Sequence, residues 1–287
     1  MTISIAEAIR ESVVIFQDAG LAEARREAGG LLQHVLGRDR TFVLAHPEQL
    51  LTESQSQTFQ ELIKRRAAGE PLQYITAQQS FFGLDFEVAP GVLIPRPETE
   101  LLVELALETI QPSQAPRICD VGTGSGCIAI TLLHERADAQ ALAIDISAAA
   151  LEIAKRNARR HSVERRLTFV QANCFSSLSP LEFSFDLIVS NPPYVAENEL
   201  AGLQREVRDH EPREALAGGP DGLDVVRRLV SEGSTFLKPG GHLLIEIGFN
   251  QAAAVSSLLE QHAWLAKGIR PDLQGIPRVV VLQKGFS

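Results

Sequence analysis

The most specific chemical signal in the chain is the tetrapeptide Asn191-Pro192-Pro193-Tyr194, which directly follows an apolar run typical of a buried strand. Two prolines fix the backbone and remove two N–H donors, so the carbonyl of Pro192 is free to accept a hydrogen bond. The Asn191 side chain offers a second acceptor, and Tyr194 offers a flat face. A proline pair can also form a mere rigid turn. Beside a ligand crevice, however, two converging acceptors predict a catalytic site for a planar –NH₂ group.

A glycine-rich loop from Asp120 to Gly126 lies between an apolar run and a helical pattern. Glycines let the backbone turn sharply and approach a ligand closely, although a tight strand-to-helix turn alone would explain such a loop. Asp145 ends the next apolar run, 23 residues after Gly122. An acid there accepts hydrogen bonds from ribose hydroxyls in nucleoside-binding sheets. The loop and the acid together favour a nucleoside-bearing cofactor.

The spacing of the glycines separates two classes of cofactor. Dinucleotide-binding loops usually read G-x-G-x-x-G and hold a pyrophosphate at a helix N-terminus. This loop reads G-x-G-x-G, and Asp120 precedes its first glycine by two residues. An acid in that place repels a pyrophosphate but suits the cationic methionine end of S-adenosylmethionine. We therefore predict S-adenosylmethionine, and not NAD, held by Asp120, Gly122, Thr123, Gly124, Ser125, Gly126 and Asp145.

A third group of candidates follows the next apolar run, at Asn173-Cys174-Phe175. The Asn173 side chain could bond an adenine amino group, and Cys174 or Phe175 could line the face of the base. A plain strand end fits the same spacing equally well. We include Asn173, Cys174 and Asn191 among the predicted cofactor contacts.

The chemistry follows from the nature of the nitrogen that accepts the methyl group. An amide or nucleobase amino nitrogen is a poor nucleophile, because its lone pair is delocalised, whereas the methyl of a sulfonium is already activated. The protein must hold the nitrogen in line with the S–CH₃ bond and polarise its hydrogens, and positioning can lower such barriers by roughly 7–11 kcal/mol in ideal cases. No strong base is needed before the transfer, and none of the seven histidines lies in a motif.

These residues need a scaffold, and the apolar pattern predicts an α/β protein in three parts. Residues 1–73 predict a small helical bundle, with apolar stripes from Ile5 to Phe16 and from Leu31 to Leu36 and a third helix over 53–68. Residues 74–95 predict a β-hairpin linker. Residues 96–287 alternate strands and helices, which predicts a parallel sheet covered on both faces. The predicted strands are 117–121, 141–146, 167–172, 185–190, 242–247 and 278–283.

Composition restricts the function classes. The 287 residues predict two domains, and the net charge of −9 argues against a dedicated nucleic-acid binder. Three cysteines without C-x-x-C spacing predict neither a disulfide framework nor a metal site. No signal peptide and no membrane span is recognisable, so we expect a cytoplasmic protein without a membrane partner.

With these motifs the sequence closely resembles the HemK/PrmC family of protein-glutamine methyltransferases, which modify peptide-chain release factors. The resemblance covers nearly the whole chain. The matching stretches are 71–75, 82–83 with 86, 93–100, 120–126, 191–194, 211–216 with 218–222, and 272–275 with 277–278. The chain departs from many relatives at Asn173, where they have Asp, and at Cys174, where they often have an aromatic residue.

The resemblance implies a class I methyltransferase fold, Rossmann-like, with a mostly parallel seven-stranded sheet and a small N-terminal helical domain that helps to dock the substrate. It implies that Gly122–Gly126 and Asp145 hold the cofactor. It further implies that Asn191–Tyr194 hold a glutamine side chain from the glycine-flanked GGQ loop of a release factor, the expected protein partner. No direct contact with nucleic acid is expected.

Three other functions remain open from the residues alone. Adenine-specific DNA methyltransferases use a similar motif, but they must flip out a base and grip a backbone, which the acidic charge disfavours. A ribosomal-protein glutamine methyltransferase presents the same motif. A non-enzymatic cofactor-binding regulator would not need the pair of acceptors.

Overall fold

The computed structural model describes residues 3–286, which form two compact units. The first unit comprises the chain up to Gln78 together with the segment Gln204–His210, and the second comprises Gln79–Leu203 and the chain from Glu211 onward. The first unit thus ends five residues after the position 73 that the sequence suggested. The segment 204–210, placed in the second domain by sequence, is counted with the first unit because it packs on helical residues there.

The first unit is helical, as predicted. Its core contains the buried side chains of Phe16, Leu31, Leu32 and Phe59. A capping box, in which Ser4 and Glu7 satisfy each other's backbone N–H groups, begins the first helix. The five helices are α1 (Ile5–Asp18), α2 (Ala24–Leu36), α3 (Arg40–Ala45), α4 (Glu53–Ala67) and α5 (Leu72–Thr76).

A buried arginine ties the segment 204–210 to α4. Arg66 forms ion pairs with Glu27 of α2 and, at 2.7 Å, with Glu206. The Arg205 guanidinium donates to the carbonyl of Ala68 at 2.6 Å. Charge pairing at a buried arginine, and not apolar burial, therefore fixes this segment, which explains why an apolar pattern did not indicate it.

Within the stretch 74–95, for which the sequence predicts a hairpin linker, the structure has the hairpin β1 (Gln78–Phe81) and β2 (Leu84–Glu87). Phe82 and Gly83 both have positive φ, the geometry of a two-residue hairpin turn. Seven further strands form one sheet. They are β3 (Arg117–Val121), β4 (Gln140–Asp145), β5 (Leu167–Gln171), β6 (Phe185–Ser190), β7 (Leu237–Glu246), β8 (Trp264–Pro271) and β9 (Pro277–Lys284).

The strand order of the sheet is β5-β4-β3-β6-β7-β9-β8. The first five strands in that order pair in parallel, and β9 pairs antiparallel with both β7 and β8. The order reverses on either side of β3, which is the switch point where α/β sheets open a ligand crevice at the carboxyl ends of their strands. The predicted mostly parallel, seven-stranded sheet is confirmed.

Helices cover both faces of the sheet, because successive strand residues point to opposite sides. Ile118 belongs to one buried cluster and Cys119 to the other. The helices of this region are α6 (Glu100–Ile110), α7 (Cys127–Glu135), α8 (Ala148–Arg160), α9 (Arg205–His210, within the first unit), α10 (Arg213–Leu216), α11 (Asp224–Glu232) and α12 (Ala252–Leu259). Across residues 3–286, no helix is long and apolar enough to cross a membrane.

Candidate active site

The glycine loop joins β3 to α7 and is anchored on the neighbouring strand. The N–H groups of Gly122 and Thr123 both donate to the carbonyl of Ile144 in β4, at 2.8 and 2.9 Å. All three glycines have positive φ, which L-residues adopt only under strain. A Cβ on Gly124 would meet no atom within 4 Å, and one on Gly122 only the Asn191 carbonyl at 3.9 Å. The loop therefore leaves open space at these two glycines.

Asp120 lies fully buried beneath this loop, at the end of β3. One carboxyl oxygen accepts from the Thr123 hydroxyl at 2.7 Å and from the Ala129 N–H at 3.2 Å. The other oxygen has no partner among the described residues. Burial raises the pKa of this carboxyl to about 7, and the charge of Asp145 contributes in the same direction.

Asp145 ends β4 and contacts the loop directly. Its carboxylate accepts from the Gly124 N–H at 2.8 Å and from the Ser147 N–H at 2.9 Å. Burial raises its pKa, while these backbone donors act in the opposite sense. A carboxylate has about four lone-pair sites, so acceptors remain after these two bonds. The backbone thus orients the acid and leaves it able to accept hydroxyl groups.

A residue that sequence reasoning missed supports the loop from α8. The Asn157 side-chain amide donates to the Ser125 carbonyl at 2.9 Å and to the Glu87 carbonyl at 3.0 Å. Its oxygen accepts from the Glu87 N–H at 2.7 Å. The buried Ser125 hydroxyl itself has no partner in the part of the chain that the structure describes. Nothing in the local sequence around Asn157 indicates this role.

The residues after β5 divide into one exposed and two buried side chains. The Asn173 side-chain oxygen accepts from Arg228 of α11 at 2.6 Å, which orients its amide. Cys174, with positive φ, is buried, and Phe175 stacks on Phe236 at 4.7 Å within the core. Phe175 is therefore engaged with the protein interior, and Asn173 is the polar group presented after this strand.

The Asn-Pro-Pro-Tyr segment follows β6 and presents the acceptors that its sequence predicts. The Asn191 amide nitrogen donates to the Thr99 hydroxyl at 3.0 Å. The Asn191 side-chain oxygen is buried and has no partner among the described residues. The Pro192 carbonyl likewise accepts no hydrogen bond within residues 3–286. Two acceptors are therefore available on consecutive residues.

The backbone beyond these acceptors is held from α12 and by close packing. The Gln251 amide donates to the Tyr194 carbonyl at 2.9 Å and to the Gly222 carbonyl at 3.1 Å. A Cβ on Gly218 would lie 2.6 Å from the carbonyl oxygen of Pro193, so only glycine fits there. Burial raises the pKa of Tyr194 to about 12, so its phenol stays protonated at neutral pH.

Two further site residues, Thr99 and Glu246, escaped sequence reasoning. Thr99 precedes α6 and Glu246 ends β7, and both are buried. Burial raises the pKa of Glu246 to about 7, while the Thr99 side chain acts in the opposite sense. The position of Glu246 at the end of a predicted strand was the only signal that could have indicated it.

The sheet brings the predicted residues to one edge. β4, β3 and β6 are adjacent and parallel, and the candidates lie at or just after their carboxyl ends: Asp145, Asp120 with Gly122–Gly126, and Asn191–Tyr194. Asn173 and Cys174 follow β5, one strand further out. Across residues 3–286, no group of three or more His, Cys, Asp or Glu side chains is arranged to hold a metal.

The charge at this edge fits a cationic nucleoside better than a pyrophosphate. Asp120 and Asp145 place two carboxyls beside the loop, and one Asp120 oxygen lacks a partner. An anion there would add to their mutual repulsion, whereas a positive group would relieve it. The open space at Gly122 and Gly124 admits a ligand at the loop. The residues present therefore fit S-adenosylmethionine.

The chain is similar to known proteins along nearly its whole length. Residues 7–76 match the PrmC N-terminal domain and residues 97–208 match the methyltransferase small domain. A release factor glutamine methyltransferase of Koribacter versatilis is 43% identical over 284 residues, which are 99% of this chain and 100% of that protein. One from Nitratidesulfovibrio vulgaris is 46% identical over 264 residues, 91% of this chain and 89% of that protein.

Solved structures of other proteins share the fold of this chain. The crystal structure of a methyltransferase from Pyrococcus furiosus covers 72% of this chain and 91% of its own, with a TM-score of 0.53 and 20% identity. Identity at that level supports the fold alone, whereas relatives above 40% identity over almost the full length establish the family. The chain belongs to the family of release factor glutamine methyltransferases.

Proposed function

We propose that this enzyme methylates the side-chain amide nitrogen of the glutamine in the GGQ loop of a peptide-chain release factor. The observation that carries the proposal is the pair of acceptors after β6, the Asn191 side-chain oxygen and the Pro192 carbonyl, neither of which has a partner among the described residues. A buried acceptor without a partner is costly, and a primary amide offers the two N–H donors that would satisfy both. The names of the relatives supply the protein that carries this amide.

We propose Asp120, Gly122, Thr123, Gly124, Ser125, Gly126 and Asp145 as the cofactor contacts, with Asn173 and Cys174 near the base. S-adenosylmethionine supplies an activated methyl group when it is bound. The Asp145 carboxylate, held by two backbone N–H groups, accepts the ribose hydroxyls. Buried carboxyls at the loop favour a positive charge.

The chain's own residues act on the substrate by orientation. Asn191 and Pro192 hold the two amide hydrogens, which fixes the plane of the amide and polarises the nitrogen. The Tyr194 ring offers a face for that plane, and the protonated phenol does not act as a base at neutral pH. Pro193 and the close approach of Gly218 keep the backbone rigid.

Mass spectrometry tests the proposal directly. The enzyme and S-adenosylmethionine are incubated separately with a release factor, with the same factor carrying Gln→Glu in its loop, with a ribosomal protein and with DNA. We expect one methyl on the loop glutamine and none on the glutamate variant, because a site built around donated hydrogen bonds rejects an analogue that lacks the donors. Methyl incorporation into DNA, into the ribosomal protein alone or into the glutamate variant would contradict it.

Asn191→Ala tests the role of the first acceptor. We expect turnover to fall about 10²- to 10³-fold, by analogy with loss of one preorganised polar partner of a transition state. Cofactor affinity, measured by calorimetry, should change little, because Asn191 contacts Thr99 and not the glycine loop through its side chain. Full turnover in this variant would remove Asn191 from the mechanism.

A further inference from the structure

The helical unit carries a groove with a volume of about 710 Å³, lined by residues of α1, α2, α3 and α5. Its apolar lining includes Ile9 and Val13 of α1, Val43 of α3 and Leu72 of α5. Leu44 of α3 also lines the groove and is 63% exposed. Every lining residue belongs to the first unit. Apolar side chains left open to water in a concave surface are typical of a binding site.

Two consecutive glycines of α2, Gly29 and Gly30, line this groove. Glycine destabilises the interior of a helix relative to alanine. A Cβ on Gly29 would come no nearer than 3.9 Å to any neighbour, the Gln33 amide nitrogen, and one on Gly30 would meet Leu72 at 3.4 Å. Both distances are ordinary contacts, so the packing of α2 leaves room for alanine at either position. What the two glycines provide is open space in the groove.

The charged side chains of the groove are mostly arginines. Arg25, Arg26 and Arg40 line it, against a single acid, Glu23. All three arginines are exposed, and their side chains form no ion pair or hydrogen bond with another residue of the described range 3–286. Arg66 of the same unit, by contrast, is paired with two acids. In a chain of net charge −9, the groove is therefore a place where positive charge is in excess and has no partner.

The arginines and the glycines share one face of α2. Arg25 precedes Gly29 by four residues, and Arg26 precedes Gly30 by four, so each pair is stacked one helical turn apart. The open space thus lies directly beside the guanidinium groups. A ligand that fits must bring negative charge and apolar groups together.

We propose that this groove docks an acidic segment of the release factor that also carries apolar side chains. The inference rests on the proposed function and deepens it, because it names the docking surface of the enzyme and the chemistry of the segment. Carboxylates of the segment pair with the arginines, whose planar guanidinium groups suit them. Its apolar side chains enter the space beside the glycines. A nucleic acid would pair with the arginines but would leave the apolar lining without a partner.

The first test reverses the charge of the groove. Arg26→Glu combined with Arg40→Glu should raise the Kd for an intact release factor, measured by calorimetry, at least about tenfold, because like charges then face the acidic segment. The matched control combines Arg10→Glu with Arg38→Glu, two exposed arginines of the same unit that do not line the groove. The control makes the same change of net charge, and its Kd should stay within about threefold of wild type, since distant charges are screened by salt.

The second test fills the groove without changing its charge. Gly29→Leu places a large side chain in the open space and should raise the Kd for the release factor roughly tenfold or more, the scale of losing one anchoring side chain. Gly29→Ala is its control, because alanine fits there and favours a helix, so Kd should stay within about twofold and Tm should not fall. Tm and the Kd for S-adenosylmethionine are measured for every variant to detect general damage.

The outcomes separate the groove from the proposed function. A wild-type enzyme that leaves the loop glutamine unmethylated refutes the function itself. A wild-type enzyme that methylates it, together with groove variants that bind the intact factor at wild-type Kd, overturns the groove alone. An equal loss of affinity in the charge control also overturns it. So does a charge reversal that weakens binding of a DNA or RNA oligonucleotide but not of the release factor.

Discussion

Individual acidic side chains give the candidate site its electrostatic character. Asp145 and Glu246 end strands of the sheet and Asp120 is the last but one residue of β3, and burial raises the pKa of all three carboxyls. Native proteins rarely keep acids in such places without a partner. Their concentration at the carboxyl edge of the sheet therefore indicates selection for a ligand with positive charge or with several donors.

Asp145→Ala should weaken the binding of S-adenosylmethionine by about 1.5–3 kcal/mol, the range for hydrogen bonds to a charged group. The variant loses the predicted ribose acceptor and also the acceptor for the Gly124 N–H. Asp145→Asn is the matched control, because its one remaining oxygen can still accept, and it should lose less affinity. Calorimetry with the cofactor decides the matter: equal affinity in Asp145→Ala and wild type would exclude the ribose role. NAD should not bind.

Asp120 should make the stability of the enzyme fall as the pH rises. Its native pKa is about 7, above its ordinary value of 3.8, so the native state binds more protons than the unfolded state between these values. Its stabilising contribution is complete below about pH 4 and is lost as the pH rises through about 7. The total is on the order of 4 kcal/mol.

Urea unfolding at several pH values checks this dependence against Asp120→Asn, which keeps an oxygen for Thr123 and Ala129. Other carboxyls contribute slopes of their own, but they are common to both proteins. The stability of the variant relative to wild type should therefore improve from about pH 4 to pH 8. A constant difference across that range would show that Asp120 does not titrate in this way.

The sequence predicted those site residues whose role depends on a contiguous motif. Asn191–Tyr194 and Gly122–Gly126 are recognisable because adjacent residues supply both the backbone geometry and the functional group. Thr99, Asn157 and Glu246 were missed, because their partners lie far away in the chain: Thr99 is 92 residues from Asn191, and Asn157 is 70 from Glu87. A single sequence does not reveal such pairings.

At the scale of elements, the sequence predicted the buried strands of the sheet but not its edge strand β8. The predicted bounds of β3 and β6 agree with the structure, since all but one residue of each strand is buried. β8 was missed because it is an edge strand with mostly exposed residues, and a register shift near Gly268 interrupts its alternation. β7 begins five residues before the predicted position 242, because Pro239-Gly240-Gly241 reads as a turn.

The junction of β3 and α7 offers a prediction with an internal control. Gly124 and Gly126 both have positive φ, but a Cβ on Gly126 would lie 2.8 Å from Ile130 and 3.1 Å from Ala154, whereas one on Gly124 meets nothing within 4 Å. Gly124→Ala should cost about 1–2 kcal/mol of stability, from backbone strain alone. Gly126→Ala should cost roughly 1–3 kcal/mol more, from overpacking.

Urea denaturation measures both free energies of unfolding. If Gly126→Ala proves no less stable than Gly124→Ala, then α7 packs less tightly against α8 than the contacts of Ala154 indicate. The open space of the loop lies at Gly124, so a side chain there should interfere with the cofactor. For each kcal/mol of stability lost, Gly124→Ala should therefore weaken cofactor binding more than Gly126→Ala does.

At the scale of the whole molecule, the chain folds as two units whose boundary is not a single point in the sequence. The segment 204–210 leaves the second unit between Leu203 and Glu211 and is counted with the helical unit, where Arg66 pairs with Glu206. The sequence indicated a helical bundle and an α/β domain, but not this return of the chain.

The helical unit carries none of the predicted cofactor or acceptor residues, so we propose that it docks the protein substrate. A chain that begins at Gln79 should keep its affinity for S-adenosylmethionine. Its kcat/KM on an intact release factor should fall at least about tenfold, the equivalent of 1.4 kcal/mol of lost binding. On a short peptide that contains the glutamine loop, its kcat/KM should stay within about twofold of the full-length enzyme.

The two substrates make the test specific, because misfolding lowers activity on both while loss of docking lowers activity on the intact factor alone. Removal of Arg66 leaves Glu206 without its partner, so the segment 204–210 is the part at risk in the shortened chain. Full-length enzyme with Glu206→Gln reports on that segment by itself and should keep most of its activity on the peptide. A shortened chain that methylates the intact factor at the full-length rate would show that the helical unit has no docking role.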